Sequence, residues 1–291
     1  MVLRLGIGIV TYNRRSVLAE TVDRVRRLTT HSQVDWVVAD DSSSDDTAAW
    51  LRAQNVPMIT GVNMGVTWNK NRALYLLSAM LNNDVVILLE DDTQPTKPGW
   101  EQAWIEGAQR WGHINYARPW TPEEFLSGKG TPAEPIVSRT LTAQIASFSR
   151  EALLFGGYFD SRFKGFGHGH VEHSRRLIRV GFGGTDHVVD GREQVLFHLI
   201  HGDVETADAG SFFDPAQAER NLAVAKDLMV DQTYRPPWQN DRELRQFRAE
   251  LASAIQRQGE AGFSLRGGTA TAAGRGPGLL HRLFGGARRS R

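Results

Sequence analysis

A run of three acids, Glu90-Asp91-Asp92, follows a wholly apolar segment at 85–89. Side chains two apart on a strand share a face, so Glu90 and Asp92 are predicted to converge on one point while Asp91 points away. Carboxylates that close repel one another unless a cation neutralises them, and oxygen ligands suit Mg²⁺ or Mn²⁺. The run therefore predicts a divalent metal site that would carry the phosphates of a nucleotide. The alternative is that the acids cap the segment that follows.

Two other apolar runs also end in polar side chains. The three polar ends are Thr11-Tyr12-Asn13-Arg14, Asp40-Asp41-Ser42-Ser43-Ser44-Asp45-Asp46-Thr47 and Glu90-Asp91-Asp92. A single polar end is typical of a helix N-cap, and Asp45 or Asp46 is predicted to be one. In an open α/β sheet, ligands bind beyond the carboxyl ends of the strands. Three coincident polar ends therefore indicate one binding site.

The elements that position these ends alternate along the first half of the chain. Strands are predicted at 5–10, 34–39, 57–60 and 85–89, and helices at 18–25, 45–54 and 68–81. Such alternation predicts right-handed crossovers and a layered α/β domain with a mostly parallel sheet. Further on, the patterns predict strands at 143–149 and 194–200, helices at 171–180, 216–229 and 241–255, and a proline-rich loop at 118–136.

Composition limits the class of protein. The chain has 291 residues, of which 41% are hydrophobic and 23% charged, as in proteins with a sizeable core. It has no cysteine, which excludes disulfides, thiolate metal sites and a cysteine nucleophile. No apolar run approaches the roughly 20 residues of a membrane span, and the first run is too short for a signal peptide. We therefore expect a cytoplasmic protein.

The charge is unevenly distributed. Residues 261–291 hold six arginines and no acid, so the first 260 residues keep 28 of the 34 basic residues and all 33 acidic ones. The body is mildly acidic and carries no nucleic-acid signature. The segment 259–291, rich in Gly and Arg, is predicted to be disordered. It is either a solubilising end or a weak contact with the inner face of a membrane.

The order of the motifs resembles glycosyltransferase family 2, the nucleotide-sugar-dependent enzymes with the GT-A fold. The matching segments are Ile9-Val10-Thr11-Tyr12-Asn13, Asp40 to Thr47 with Ser42 in place of glycine, Asn63, Gly65, Asn71, Glu90-Asp91-Asp92 and Gly156-Gly157-Tyr158-Phe159-Asp160. The resemblance covers residues 5–205. It implies a three-layer α/β/α domain over 1–205, followed by a helical extension at 206–258. The implied activity is sugar transfer from a nucleoside diphosphate sugar, with UDP favoured, to an unknown acceptor.

The resemblance also implies roles for individual residues. The implied nucleotide-sugar-binding set is Thr11, Tyr12, Arg14, Asp40, Asp41, Asn63, Lys70, Asn71 and Asp91. Within it, Thr11, Tyr12 and Arg14 would line the nucleobase pocket, and Asp41 would hydrogen-bond the base or ribose. Lys70 and Asn71, placed at a helix start, would face the diphosphate. Glu90 and Asp92 would hold Mn²⁺ or Mg²⁺.

The resemblance does not identify the general base, because the Glu-Asp pair of the family is missing from this chain. The chain instead reads Gly165-Phe166-Gly167-His168-Gly169-His170-Val171-Glu172-His173. His170 is one candidate base, since a neutral imidazole is competent near pH 7. Glu172 is the other if the alignment shifts by two residues. If neither acts, the enzyme retains stereochemistry instead of inverting it.

Two late histidines, His198 and His201, are candidates to complete the metal shell. They lie three apart on a strand, so only one is expected to bind the ion, and a packed or exposed histidine is the alternative for each. Trp100, Trp104 and Trp111 recur at helical spacing. This spacing favours packing in the hydrophobic core over a surface on which a sugar stacks. Trp120 is a candidate for stacking on the acceptor.

Three other functions fit less well. A nucleotide-sugar pyrophosphorylase would have a glycine-rich loop after the first strand, where Thr11-Tyr12-Asn13 stands. A dinucleotide-dependent oxidoreductase would have a third glycine, but Gly6 and Gly8 stand alone within the strand. A catalytically inactive nucleotide-sugar-binding module remains open because of His170.

Overall fold

The computed structural model describes residues 2–118, 122–165, 167–189, 192–208, 214–228, 234–259 and 262–266. Trp120, Phe166 and the tail from 267 onward lie outside the described residues. In the described part of the chain, no helix has the length and apolarity needed to span a membrane.

The structure alternates strands and helices as the sequence predicts. The strands are β1 (Leu5–Thr11), β2 (Val34–Asp40), β3 (Met58–Thr60), β4 (Val85–Glu90), β5 (Thr93–Pro95), β6 (His113–Tyr116), β7 (Phe125–Ser127), β8 (Ile136–Ser138), β9 (Ile145–Ser149), β10 (Gly184–Val189), β11 (Arg192–Ile200) and β12 (Val204–Thr206). The helices are α1 (Arg15–Leu28), α2 (Thr47–Ala53), α3 (Val66–Tyr75), α4 (Glu101–Trp111), α5 (Arg150–Gly156), α6 (Gly169–Arg179), α7 (Pro215–Leu228) and α8 (Asp241–Gln258). A π-helical turn, Leu76–Met80, continues α3.

One large sheet organises the domain, in the order β3-β2-β1-β4-β9-β6-β11-β8-β7 with β10 also paired to β11. The half that contains β3, β2, β1 and β4 is parallel throughout. The antiparallel strand β9 joins this half to the mixed remainder. The predicted proline-rich loop at 118–136 is partly wrong, because β7 within it forms the outer edge of the sheet.

Helices cover both faces of the sheet and make three layers. On one face, α1, α2 and α4 bury Leu18, Leu51 and Trp104 against the strands. On the other, α3 and α8 pack together, with the rings of Trp68 and Phe247 5.3 Å apart and edge to face. The predicted three-layer α/β/α fold is confirmed. Since α8 contributes to this core, it is part of the domain's packing and not merely an extension.

The predicted disorder of 259–291 is wrong at its start. Residues 262–266 run beside the lower half of β2, where Ser264 forms an antiparallel bridge with Asp35. Trp36 N–H donates to the carbonyl of Phe263 (2.7 Å), and the Phe263 side chain is buried in the core. The guanidinium of Arg266 donates to the carbonyls of Thr29 and Thr30. This segment extends the sheet edge beyond the short strand β3.

We expect a chain ending at residue 259 to be less stable than one ending at residue 266. The shorter chain exposes the face on which Phe263 packs, and burying one Phe side chain contributes about 2 kcal/mol. Urea unfolding of both truncations and the full chain measures the difference, with the longer truncation as the control. Equal stability of the two truncations would contradict the expectation.

Candidate active site

The carboxyl ends of β1 and β4 meet around one arginine. Thr11 Oγ1 donates to Asp91 Oδ2 (2.7 Å), and Arg14 donates to both Asp91 Oδ1 (2.9 Å) and Asp92 Oδ2 (3.1 Å). The expectation that Asp91 points away is wrong. Because β4 ends at Glu90, the next two residues form a turn in which strand alternation no longer applies.

Asp92 carries the least compensated charge of this cluster. Its Oδ1 is buried and has no hydrogen-bond partner in the described structure. Burial, and secondly the charge of Glu90, raise the pKa of Asp92 against the opposing effect of Arg14. Burial also raises the pKa of Asp91 to about 7. A cation beside Asp92 would relieve this unfavourable burial of negative charge.

The side chains around Asp92 provide part of a site for the divalent metal that the resemblance implies. A buried carboxylate oxygen without a partner, next to a second carboxylate on Glu90, is the donor chemistry that Mg²⁺ or Mn²⁺ takes. Among the described residues, no three His, Asp or Glu side chains are grouped closely enough to hold an ion by themselves. A metal here would therefore depend on Asp92 together with oxygens from a bound nucleotide.

Lys70 is paired with Glu90 and does not stand at a helix start. Its ammonium donates to Glu90 Oε1 (2.8 Å) and to the carbonyl of Ala143 (3.3 Å). Helix α3 begins at Val66, so Lys70 lies in its second turn and cannot offer a helix N-terminus to a diphosphate. The predicted placement was wrong, because the helix starts two residues before the predicted position.

Asp41 contributes to a buried network inside the fold. It accepts hydrogen bonds from the backbone of Met64 and Gly65 and from Arg72 Nη1 (2.9 Å). Arg72, which is fully buried, also donates to Glu250 Oε2 (3.0 Å) on α8. The expected contact of Asp41 with a base or ribose stays a prediction, and in the structure its oxygens bind this network. Its role is to hold the loop 61–65.

Neighbouring predicted donor residues are also used by the fold. Asp40 accepts from Ser43 and from Thr60 Oγ1 (3.3 Å). Asn71 is fully buried and exchanges two hydrogen bonds with the backbone of Phe159 (2.8 and 2.9 Å), so it does not face a diphosphate. Asn63 is exposed on the loop that Asp41 holds.

The loop after β1 is the open part of the predicted nucleobase pocket. Tyr12 is 47% exposed, and Asn13 has a left-handed φ of 52°. Asn13 Oδ1 accepts from Ser44 N–H (2.6 Å), which ties this loop to the one after β2. Of the two predicted N-caps, Asp46 stands at the N-cap position of α2 but its side chain makes no capping hydrogen bond, whereas Asp45 accepts from the backbone of Thr47 (3.0 Å). The predicted polar ends of β1 and β2 therefore lie together.

His170 belongs to a buried chain of hydrogen bonds. His113 Nδ1 lies 3.0 Å from the carbonyl of Ser147, which can only accept, so Nδ1 carries the hydrogen. Burial lowers the pKa of His113 to about 4, so its ring is neutral and Nε2 accepts from Asn115 Nδ2 (3.1 Å). Asn115 Oδ1 must then accept from His170 Nε2 (2.8 Å). His170 Nδ1, which is buried, keeps its lone pair and has no partner in the described structure.

The two candidate bases differ in their surroundings. Burial, and then the charge of Lys70, lower the pKa of His170 well below its ordinary value, so it is neutral at pH 7. Glu172 is buried and paired with Arg176 (2.9 Å). Glu172 is therefore corrected to a structural ion pair.

Comparison with known proteins agrees with this arrangement of strand ends. The family model described as Glycosyl transferase family 2 matches residues 7–126, which contain β1 to β4 and their polar ends. Over residues 7–126 the chain resembles glycosyl transferase family 2. Sequence comparison with curated proteins found no significant match.

Solved structures share the fold at low sequence identity. TarS 1-349 from S. aureus in complex with UDP-GlcNAc is 13% identical, with a TM-score of 0.52 over 88% of this chain and 72% of that chain. GalNAc-T7 with UDP, GalNAc and Mn²⁺ is 16% identical, with a TM-score of 0.51 over 86% of this chain and 54% of that chain. Both likenesses concern the GT-A fold of the family.

The late histidines do not join the family's carboxylates in one metal cluster. His198 packs against the Trp111 ring, 4.5 Å between centroids, and burial lowers its pKa. His201 is exposed, and its backbone N–H donates to the carbonyl of Gly130. His198 is therefore a packed side chain and His201 an exposed one, which is the alternative to metal binding that the sequence left open. Trp100 and Trp104 are fully buried, as predicted for core.

Sequence reasoning missed the residues that position the site. Arg72, Glu250, His113 and Asn115 are all buried and hydrogen-bonded. The only signal was polar side chains where burial was expected, such as His113 and Asn115 alternating with Ile114 and Tyr116 on β6. No pattern in the sequence indicated their partners.

We expect the free energy of unfolding to fall as the pH is lowered from about 6.5 towards 4. His113, His170 and His173 all have pKa values lowered by burial. The unfolded chain therefore binds more protons in this window, and His113 alone accounts for about 3 kcal/mol. Urea unfolding at several pH values measures the slope. His113→Gln is expected to flatten it and the exposed control His201→Gln is not; equal slopes would contradict this.

Proposed function

We propose that this protein transfers a sugar from a nucleoside diphosphate sugar, with UDP favoured, to an acceptor. The observation that carries the proposal is the buried Oδ1 of Asp92, which has no partner in the described structure and lies just after β4, within the residues that the family model matches. The related folds of TarS and GalNAc-T7 were solved with UDP or a UDP-sugar, which supports the choice of UDP.

Asp92, with Glu90 beside it, is the carboxylate that we propose holds Mn²⁺ or Mg²⁺. When bound, such an ion would neutralise the charge of the leaving diphosphate. Arg14 orients Asp92 by donating to its Oδ2 and holds Asp91 in the same turn. Tyr12 is exposed beside these groups and offers a ring face to the base.

His170 is the proposed general base of an inverting transfer. The hydrogen bond from its Nε2 to Asn115 fixes the tautomer with the lone pair on Nδ1, the atom that would take the proton from an acceptor hydroxyl. Because Nδ1 of His170 is buried in the free protein, a bound acceptor must displace the protein groups that cover this atom. Glu172 is engaged differently, since Arg176 donates a hydrogen bond to each of its oxygens.

We expect His170→Ala to lower turnover by roughly 10² to 10⁴, the usual contribution of a general base, with little change in donor affinity. Steady-state kinetics and UDP titration measure the two effects, and the exposed His201→Ala serves as the control. Turnover near that of the unaltered protein would contradict the assignment. Product anomer analysis by NMR would then show whether the enzyme retains stereochemistry.

The function itself is tested by titrating UDP and GDP with and without Mn²⁺. Hydrolysis of UDP-sugars and GDP-sugars is measured as well. Binding to the native state raises the melting temperature with ligand concentration. We expect metal-dependent UDP binding and slow donor hydrolysis. Metal-dependent binding without turnover on any acceptor would indicate a binding module, and no nucleotide binding at all would refute the proposal.

A further inference from the structure

A cavity of about 390 Å³ lies between α6, α7 and the strands β8 and β11. Four cationic side chains line it: Arg139, Arg175, Arg179 and Lys226. Much of the rest of the lining is apolar and includes Leu141, Val171, Phe197, Leu222 and Leu228. None of these residues belongs to the cluster around Asp92, so the cavity is a separate feature of the molecule.

The cavity has an excess of positive charge. Glu172 is the one carboxylate among its described lining residues, and its charge is compensated by Arg176, which lies outside the lining (2.9 Å). Arg175 contributes a buried Nε that has no hydrogen-bond partner in the described structure. An arginine with an unmet donor beside further cationic side chains is a common means of binding phosphate or carboxylate groups.

The apolar lining adds a second requirement. Leu222 is 38% exposed although it faces other apolar side chains of the cavity, such as Phe197. Apolar surface left in contact with water beside cations suits a ligand that has an anionic group and an apolar body. A nucleotide or a free sugar lacks the apolar body.

The cavity and the donor end of the sheet are connected by a short segment. Leu141 lines the cavity, and three residues later the carbonyl of Gln144 accepts from Glu90 N–H (2.7 Å). Three residues span at most about 11 Å. The first turn of α6 makes a second connection, because Val171 faces the cavity while the adjacent His170 faces Asn115.

We propose that this cavity binds the acceptor through an anionic group, a phosphate in the first instance, with an apolar body against the leucines. Its assignment as the acceptor site rests on the proposed function, whereas the binding of an amphipathic phosphate does not. Arg139, Arg175 and Lys226 bind the head group, and the short connections bring the remainder of the acceptor towards Glu90 and His170.

Isothermal titration of the full chain with hexyl phosphate, inorganic phosphate and hexanol tests the proposal. We expect hexyl phosphate to bind one site, at least tenfold more tightly than inorganic phosphate because of the apolar wall. Hexanol is expected not to bind detectably. Equal affinity for the two phosphates, or no binding of hexyl phosphate, would overturn the proposal.

Variants locate the site. Arg175→Gln and Lys226→Gln are each expected to weaken hexyl phosphate binding about tenfold, the effect of losing one charged hydrogen bond. Arg220→Gln, on the same helix as Lys226 but outside the lining, is the control. Lys226 is exposed, so its variant retains the fold even if Arg175→Gln does not. Equal weakening by the control would overturn the proposal.

A competition experiment separates this proposal from the proposed function. Saturating UDP with Mn²⁺ is expected to leave hexyl phosphate affinity unchanged, and displacement by UDP would overturn the separate site. Hexyl phosphate binding without any UDP binding would support the cavity as an anion site and refute the glycosyltransferase function. UDP binding without hexyl phosphate binding would support the glycosyltransferase function and refute the cavity as an anion site.

Discussion

Asp92→Asn is expected to lower sugar transfer by about 10² to 10³ and to abolish the dependence of UDP binding on Mn²⁺. The substitution removes the negative charge at the one buried carboxylate oxygen of this cluster that lacks a partner, while Arg14 keeps its contact with Asp91. Neutralising a leaving diphosphate is worth several kcal/mol, which corresponds to this loss in rate. Steady-state kinetics with and without Mn²⁺, together with UDP titration, measure it.

The fold of this variant is expected to be retained. Burial raises the pKa of Asp92, so the fold disfavours the charged form and accommodates a neutral side chain of the same shape. Asp203→Asn is a matched control, because Asp203 is paired with Lys97 near the surface, beside the β5 and β12 pair. If Asp92→Asn keeps metal-dependent UDP affinity, or if Asp203→Asn loses it equally, the proposed metal position is wrong.

Arg72→Met is expected to lower the free energy of unfolding by about 3–5 kcal/mol, the usual cost of removing one partner from a buried ion pair. The variant would leave the carboxylates of Asp41 and Glu250 buried without their cation. The carbonyl of Val62, which accepts from Arg72 Nη2 (2.7 Å), would lose its donor as well. Urea unfolding at pH 7 measures the loss.

Arg110→Met is the matched control for this substitution. Arg110 pairs with Glu106 at 2.8 Å, but both side chains are about half exposed, and exposed pairs contribute at most about 1 kcal/mol. A loss with Arg72→Met no larger than that with Arg110→Met would show that the network does not stabilise the fold. A second variant, Glu250→Gln, retains the shape of the side chain and is expected to cost less than Arg72→Met.

The sequence alone predicted the parallel half of the sheet, because its signals are local. The apolar runs that became β1, β2 and β4 are bounded by polar residues, and their burial on both faces requires only that helices cover them. The same local signals placed Thr11, Asp41 and Asp92 at one edge of the sheet. The packing of Trp100 and Trp104 followed from helical spacing in the same way.

Only the tertiary structure decided which of these polar groups are available to a ligand. The partners that bind them come from distant parts of the chain: Lys70 pairs with Glu90, Arg72 with Glu250, and Asn115 with His170. Whether a carboxylate is compensated or a histidine neutral depends on burial and on such partners, and neither is encoded in local spacing. The sequence therefore determined where the polar groups gather, and the folded packing left Asp92 Oδ1 and His170 Nδ1 among the buried atoms without a partner in the described structure.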